Sequence, residues 1–129
     1  MEQGIAETNK ELIPRILIVD DSSDNLLAYR ETLAGNYEMV MASSGKEALK
    51  RLMAEEFAVI LLDVVMPDMD GFETAGLIRA RKRTSAVPII FVTAFPADEI
   101  KTQNGYAVGA VDFVSTPVDP EILRAKFQR

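Results

Sequence analysis

The chain has 129 residues, a hydrophobic fraction of 48% and a net charge of −6, which describes one globular domain with enough apolar matter for a core. It contains no cysteine and no histidine, which excludes disulfides, thiolate chemistry, the usual zinc sites and a Ser-His-Asp triad, and leaves chemistry to carboxylates, hydroxyls, Lys, Arg and backbone amides. The acid excess argues against direct nucleic-acid binding, and no run approaches the ~18 apolar residues of a membrane span.

Met1–Pro14 is polar and acidic without a signal-peptide core, and reads as the N-terminal leader of a cytoplasmic protein. Residues 15–129 read as a single domain. Its first strand is RILIVD, Arg15–Asp20. A helix follows over Asn25–Leu33, with Leu26, Tyr29, Arg30 and Leu33 at helical spacing and cap candidates at Ser22–Asp24. YEMVMA, Tyr37–Ala42, is mixed in character and suits a strand near an edge. The next helix, Gly45–Met53, is expected to start behind Ser43 or Ser44 and to bury Ala48, Leu49, Leu52 and Met53.

VILLDV, Val59–Val64, is the third strand. The following MPDMDG, Met66–Gly71, reads as a turn with its glycine at positive φ. Phe72–Arg81 puts Phe72, Ala75 and Ile78 on one stripe and is expected to end in a basic last turn, RARKR. VPIIFVTA, Val87–Ala94, is the fourth strand; Asp98–Val108 is a weaker helix, with Gly105 and Gly109 inside or near its end. AVDFV, Ala110–Val114, is the fifth strand. Asp119 then caps a helix with Pro120 at its first position and Ile122, Leu123 and Phe127 along it, still running at Arg129 and expected to be truncated there.

Runs apolar on both faces, alternating with helices, describe an α/β fold: a doubly wound parallel sheet with helices on both sides. Sites in such sheets lie at the C-terminal ends of strands. Here the first strand ends in Asp20-Asp21, the third in Asp63, the fourth in Thr93 and the fifth in Ser115-Thr116-Pro117. Taken singly, each has an ordinary explanation, as a helix cap, a turn or a hydroxyl serving local backbone. Taken together, if strands one and three are neighbours, three carboxylates share a crevice and repel unless a cation joins them. Without His or Cys, a hard divalent ion such as Mg²⁺ fits that donor set.

ILIVDDSSDN, VILLDVVMPDMDGFE, PIIFVTA and GAVDFVSTPVDPEIL, in this order and spacing, resemble the receiver domain of two-component response regulators and hybrid histidine kinases. The resemblance runs from Arg15 to Phe127. It implies a flavodoxin-like, five-stranded parallel sheet of order 2-1-3-4-5. It also implies a phosphoaccepting signalling domain, not an enzyme beyond assisting its own phosphorylation and dephosphorylation. Asp63 matches the phosphoacceptor, with a sensor histidine kinase or histidine phosphotransfer protein as donor. Asp20 and Asp21 match the acidic pair that, with Asp63 and the Val65 backbone carbonyl, holds Mg²⁺. Thr93 matches the hydroxyl that contacts the phosphoryl oxygen, and Phe113 the aromatic switch. Pro117 matches a proline preceded by a cis bond, and residues of the first helix such as Leu26, Leu27 and Arg30 would select the kinase. The face of the predicted fourth helix, Asp98–Val108, and the fifth strand would carry the switched state and offer a homodimer surface.

One position departs from the family. Where the family has lysine, this chain has Thr116. Three carboxylates and one divalent ion leave one negative charge that lysine would cancel and threonine does not. A charge-assisted hydrogen bond of this kind is worth about 1.5–3 kcal/mol, so phosphorylation, switching or both are expected to be weakened. Val65 and Phe95, two residues beyond Asp63 and Thr93, are apolar and cannot orient an attacking water, which predicts slow loss of the phosphoryl group. The alternative is a phosphorylation-independent, receiver-like interaction module. A Mg²⁺-dependent phosphohydrolase is disfavoured by Val65 where a second acid would stand, and a flavin site by DDSSDN where a phosphate loop would stand.

Overall fold

The computed structural model describes residues 13–94 and 112–127. Residues 1–12 of the expected leader, Phe95, the helix expected over Asp98–Val108 with Gly105 and Gly109, and residues 110 and 111 of the expected fifth strand lie outside them.

Five strands form one parallel sheet: β1 (Arg15–Val19), β2 (Glu38–Ala42), β3 (Val59–Asp63), β4 (Ile89–Thr93) and β5 (Asp112–Ser115), in the order β2-β1-β3-β4-β5. Four helices are described: α1 (Ser23–Leu33), α2 (Gly45–Ala54), α3 (Gly71–Ala80) and α4 (Pro120–Phe127). The near-continuous apolar runs of β1, β3 and β4 follow from burial on both faces. Leu17, Val19, Ile60, Leu62, Ile89 and Phe91 pack with Ala48, Leu52, Ala75 and Ile78 of α2 and α3. Their alternate neighbours Ile16, Ile18, Leu61, Ile90 and Val92 pack with Tyr29 and Leu33 of α1 and Leu123 of α4. Each fully buried Leu, Ile or Phe contributes about 1.5–3 kcal/mol by leaving water. The mixed pattern of Glu38–Ala42 has its reason in β2's place at the sheet edge.

Helix starts follow local chemistry. Ser22 accepts from the Asn25 N–H at 3.2 Å, Ser44 from Glu47 at 3.1 Å and Asp70 from Glu73 at 2.8 Å. Asp119 accepts from the Glu121 N–H through its side chain at 2.9 Å, with Pro120 opening α4.

Three local expectations are corrected. Met53 is 57% exposed, because α2 turns the stripe Gly45, Ala48 and Leu52 inward and Met53 lies off it. The basic run Arg79–Arg83 mostly follows α3 rather than closing it. Arg79 alone stands in the last turn of α3, and it also donates to the Val87 carbonyl at 2.7 Å, tying the connection to β4. Finally, the positive φ in MPDMDG belongs to Asp68, at 68°, and not to Gly71. Gly71 is required for a different reason: a Cβ there would stand 2.3 Å from the Asp63 carbonyl oxygen, so only glycine lets α3 begin against β3.

Candidate functional site

Backbone register brings the strand ends together. Val19 pairs with Leu62, and Asp63 pairs with Val92. The ladder continues one residue past the strands: Asp20 N–H donates to Ala42, Val64 to Val92 and Thr116 to Thr93, at 3.0–3.1 Å. Consecutive strand ends are thus fixed as one row.

On that row Asp20, Asp21 and Asp63 each present a carboxylate oxygen within 4.8 Å of the others. Asp20 is buried, Asp63 half-buried and Asp21 exposed. Asp20 accepts from the Ser22 N–H at 2.9 Å and from the Asn25 amide, 3.4 Å to Oδ1 and 3.2 Å to Oδ2. Burial raises its pKa, opposed by Ser22 and Asn25. Asp63 is pushed up to about 6, first by burial and then by the Asp20 charge, while the Val65 N–H, 3.3 Å from Oδ1, opposes the shift. Tyr29 is also raised, by burial and then by Asp20 and Asp63, and so remains a protonated donor beside Asp20. Among the described residues no Lys or Arg forms an ion pair with any of the three carboxylates. An all-oxygen cluster in which burial and neighbouring charge raise Asp20 and Asp63 is a fit for a hard divalent cation.

Thr93 is buried at the end of β4, next to the strand that carries Asp63. Val65 is 61% exposed in the loop after β3. Phe113, on β5, is half-buried and stacks on Phe91 with ring centres 5.8 Å apart; Phe91 in turn meets Phe72 of α3 at 5.0 Å. Thr116 is exposed, and its bond to Pro117 is cis. The roles of Asn25 and Tyr29 were not legible as site residues: Tyr29 falls on the core stripe of α1, and Asn25 looks like a first-turn residue. The available signal was their placement, five and nine residues after Asp20, on the helix that the DD pair opens.

A family model for the response regulator receiver domain matches residues 16–128. A "probable cyclic di-GMP phosphodiesterase" of Vibrio cholerae is 42% identical over 113 residues, 86% of this chain and 25% of that protein. A "probable transcriptional regulator ycf27" of Pyropia yezoensis is 36% identical over 124 residues, 95% of this chain and 48% of the relative. The chain therefore spans between a quarter and about half of these relatives. Among solved structures, the chemotaxis response regulator CheY4 of Vibrio cholerae is similar with a TM-score of 0.84 and 36% identity, covering 91% of this chain and 98% of that one. The BeF3-activated receiver domain of DrrB, from Thermotoga maritima, is similar with a TM-score of 0.79 and 30% identity, covering 92% and 97%. By sequence over nearly all of its length, and by a flavodoxin-like sheet of the same order, the chain belongs to the response regulator receiver domain family.

Proposed function

We propose that this chain takes a phosphoryl group on Asp63 from a histidine kinase or histidine phosphotransfer partner, as the receiving step of a two-component pathway. The observation that carries this reading is the meeting of Asp20, Asp21 and Asp63 within 4.8 Å at adjacent strand ends, beside the buried hydroxyl residue Thr93. One Asp63 oxygen forms the new O–P bond as the donor's P–N bond breaks and its electron pair leaves with the imidazole. Such a transfer needs alignment and charge neutralisation more than acid–base help. Asp63, at about 6, is ionised at neutral pH and able to attack.

Asp20, Asp21 and Asp63, with the Val65 carbonyl, are the residues that would hold Mg²⁺, which when bound supplies positive charge against the phosphoryl oxygens. Asp20, pinned by Ser22 and Asn25, contributes a fixed charge; the exposed Asp21 can move to meet an arriving ion. The phosphorylated Asp63 gains nearly two negative charges and three acceptor oxygens. Thr93, at the end of the adjacent strand β4, is the hydroxyl that would receive them, and its carbonyl already holds the Thr116 N–H. A shift of Thr93 would therefore pull on the β4–β5 end, where the half-buried Phe113 stacks on Phe91 one strand over. Thr116 withholds the cation that would lock this state. Val65 offers no polar side chain, which supports slow hydrolysis.

Labelling by a small-molecule phosphodonor with Mg²⁺, for the parent, Asp63→Asn and Thr116→Lys, tests the reading. The parent should label, Asp63→Asn should not, and Thr116→Lys should respond more strongly. Failure of both the parent and Thr116→Lys to label would instead favour a phosphorylation-independent interaction module.

A further inference from the structure

Asp20 is only 1% exposed, yet it must remain an anion if it is to support a cation. Burying a carboxylate is costly unless its lone pairs are met by donors. The Ser22 N–H meets one oxygen, at 2.9 Å. A single donor on a single oxygen leaves the carboxylate plane free to tilt. The Asn25 side-chain amide supplies the second point: its nitrogen lies 3.4 Å from Oδ1 and 3.2 Å from Oδ2, astride both.

The reach of Asn25 is itself fixed. Its N–H donates to the Ser22 hydroxyl at 3.2 Å, the bond that caps α1. Asp20, Ser22 and Asn25 thus form a closed ring of hydrogen bonds, in which the helix cap and the carboxylate hold each other. We propose that Asn25 is a positioning residue: its amide, laid across Asp20, sets the orientation in which that carboxylate supports a divalent cation at the Asp20–Asp21–Asp63 cluster. The inference rests on the Mg²⁺-dependent reading of the site given above. Mg²⁺ demands near-ideal octahedral geometry, whereas Ca²⁺ tolerates irregular and expanded shells. A loosened Asp20 therefore penalises Mg²⁺ more than Ca²⁺, and Asn25 acts on selectivity as well as affinity.

The test is calorimetric titration of the full chain with Mg²⁺ and, separately, Ca²⁺, with thermal midpoints measured before and after metal. Removal of a partner that orients a metal ligand typically costs about ten- to a hundred-fold in affinity, so Asn25→Ala should weaken Mg²⁺ by about tenfold, and Ca²⁺ by clearly less. Its metal-free midpoint should fall only modestly, because Asp20 loses the Asn25 amide but keeps the Ser22 N–H, and the Ser22 cap survives. Asn25→Asp separates positioning from a helix-start role. An acid in the first turn favours the helix, so a purely structural Asn25 predicts an unchanged or raised metal-free midpoint. The positioning role predicts a lowered one, because the new carboxylate faces Asp20, with recovery on adding Mg²⁺. Mg²⁺ binding by Asn25→Ala as tight as the parent's would overturn this inference alone. A parent that binds no Mg²⁺ would overturn the metal reading and this inference with it.

Discussion

The two ends of the same sheet handle charge in opposite ways. At the N-terminal ends of the strands, Arg15 on β1 is bonded to Glu55, lies 3.5 Å from Glu38 and covers the Phe57 ring at 5.4 Å. On β5, Asp112 is paired with Lys126 at 2.8 Å, with both side chains mostly covered. At the C-terminal ends, Asp20, Asp21 and Asp63 face one another and none shares an ion pair with a cation among the described residues. One end is a finished electrostatic structure, the other an unbalanced one. Repulsion tolerated at one end of an otherwise neutralised sheet marks where stability has been given up for chemistry.

The contrast is most sharply broken by Asp63→Asn, which should abolish phosphodonor labelling altogether; mass spectrometry of the intact chain would read this, and retained labelling would move the nucleophile elsewhere. Thr116→Lys should supply the missing cation. At about 1.5–3 kcal/mol for a charge-assisted bond, and tenfold per 1.4 kcal/mol, it should raise the population of the switched state about ten- to a hundred-fold. Amide resonances of Phe113 under beryllofluoride and Mg²⁺ would report it, and equal responses from the two chains would mean the charge is balanced by another route.

Third comes pH. Asp63 is raised from 3.8 to about 6, and Asp20 is raised too. The folded chain then binds protons more tightly than the unfolded one across that interval, so their contribution to stability is largest below it and falls as pH rises through it. Without divalent ions, Asp63→Asn should be the more stable protein at neutral pH, by about 1 kcal/mol after allowing for partial solvation of the carboxyl. Added Mg²⁺ should reverse that order. Urea titrations across pH would measure it, and a parent whose metal-free stability keeps rising relative to Asp63→Asn would contradict the crowding. The smallest effect belongs to the finished end: Lys126→Met should lower stability by about 1 kcal/mol and leave Mg²⁺ affinity untouched. A changed affinity there would show that the two ends are not independent.

Much of this was legible in the sequence because it depends on local chemistry. Two-sided burial writes apolar runs such as ILIV and IIFV, and the acids that end them are visible without coordinates. Caps are equally local, as Ser22 and Asp119 illustrate. What was not legible depends on what crosses space. Met53 sits at a plausible helical position but off the stripe that α2 turns inward. Arg79 is the last-turn base that the pattern predicts, but its bond to the loop before β4 could not be read from it. MPDMDG advertised its glycine as a turn residue, yet Asp68 adopts the positive φ and Gly71 makes room for a backbone. Asn25 is a helix residue by pattern, and only the fold aims its amide at Asp20.

The close seat of α3 has a mechanical consequence. Gly71 N–H holds the Val64 carbonyl at 2.8 Å, Val64 N–H holds Val92, and no atom larger than hydrogen fits between Gly71 and the Asp63 carbonyl. The residue that would receive the phosphoryl group is thus clamped from the helix side and the sheet side at once. Its backbone would act as an anvil, with little room to yield when a charge is placed on the side chain. On the phosphoacceptor reading proposed above, a displacement would be delivered instead to the neighbouring strand ends at Thr93 and Thr116, and the stiffness of a single glycine contact would set the direction in which a signal leaves the site.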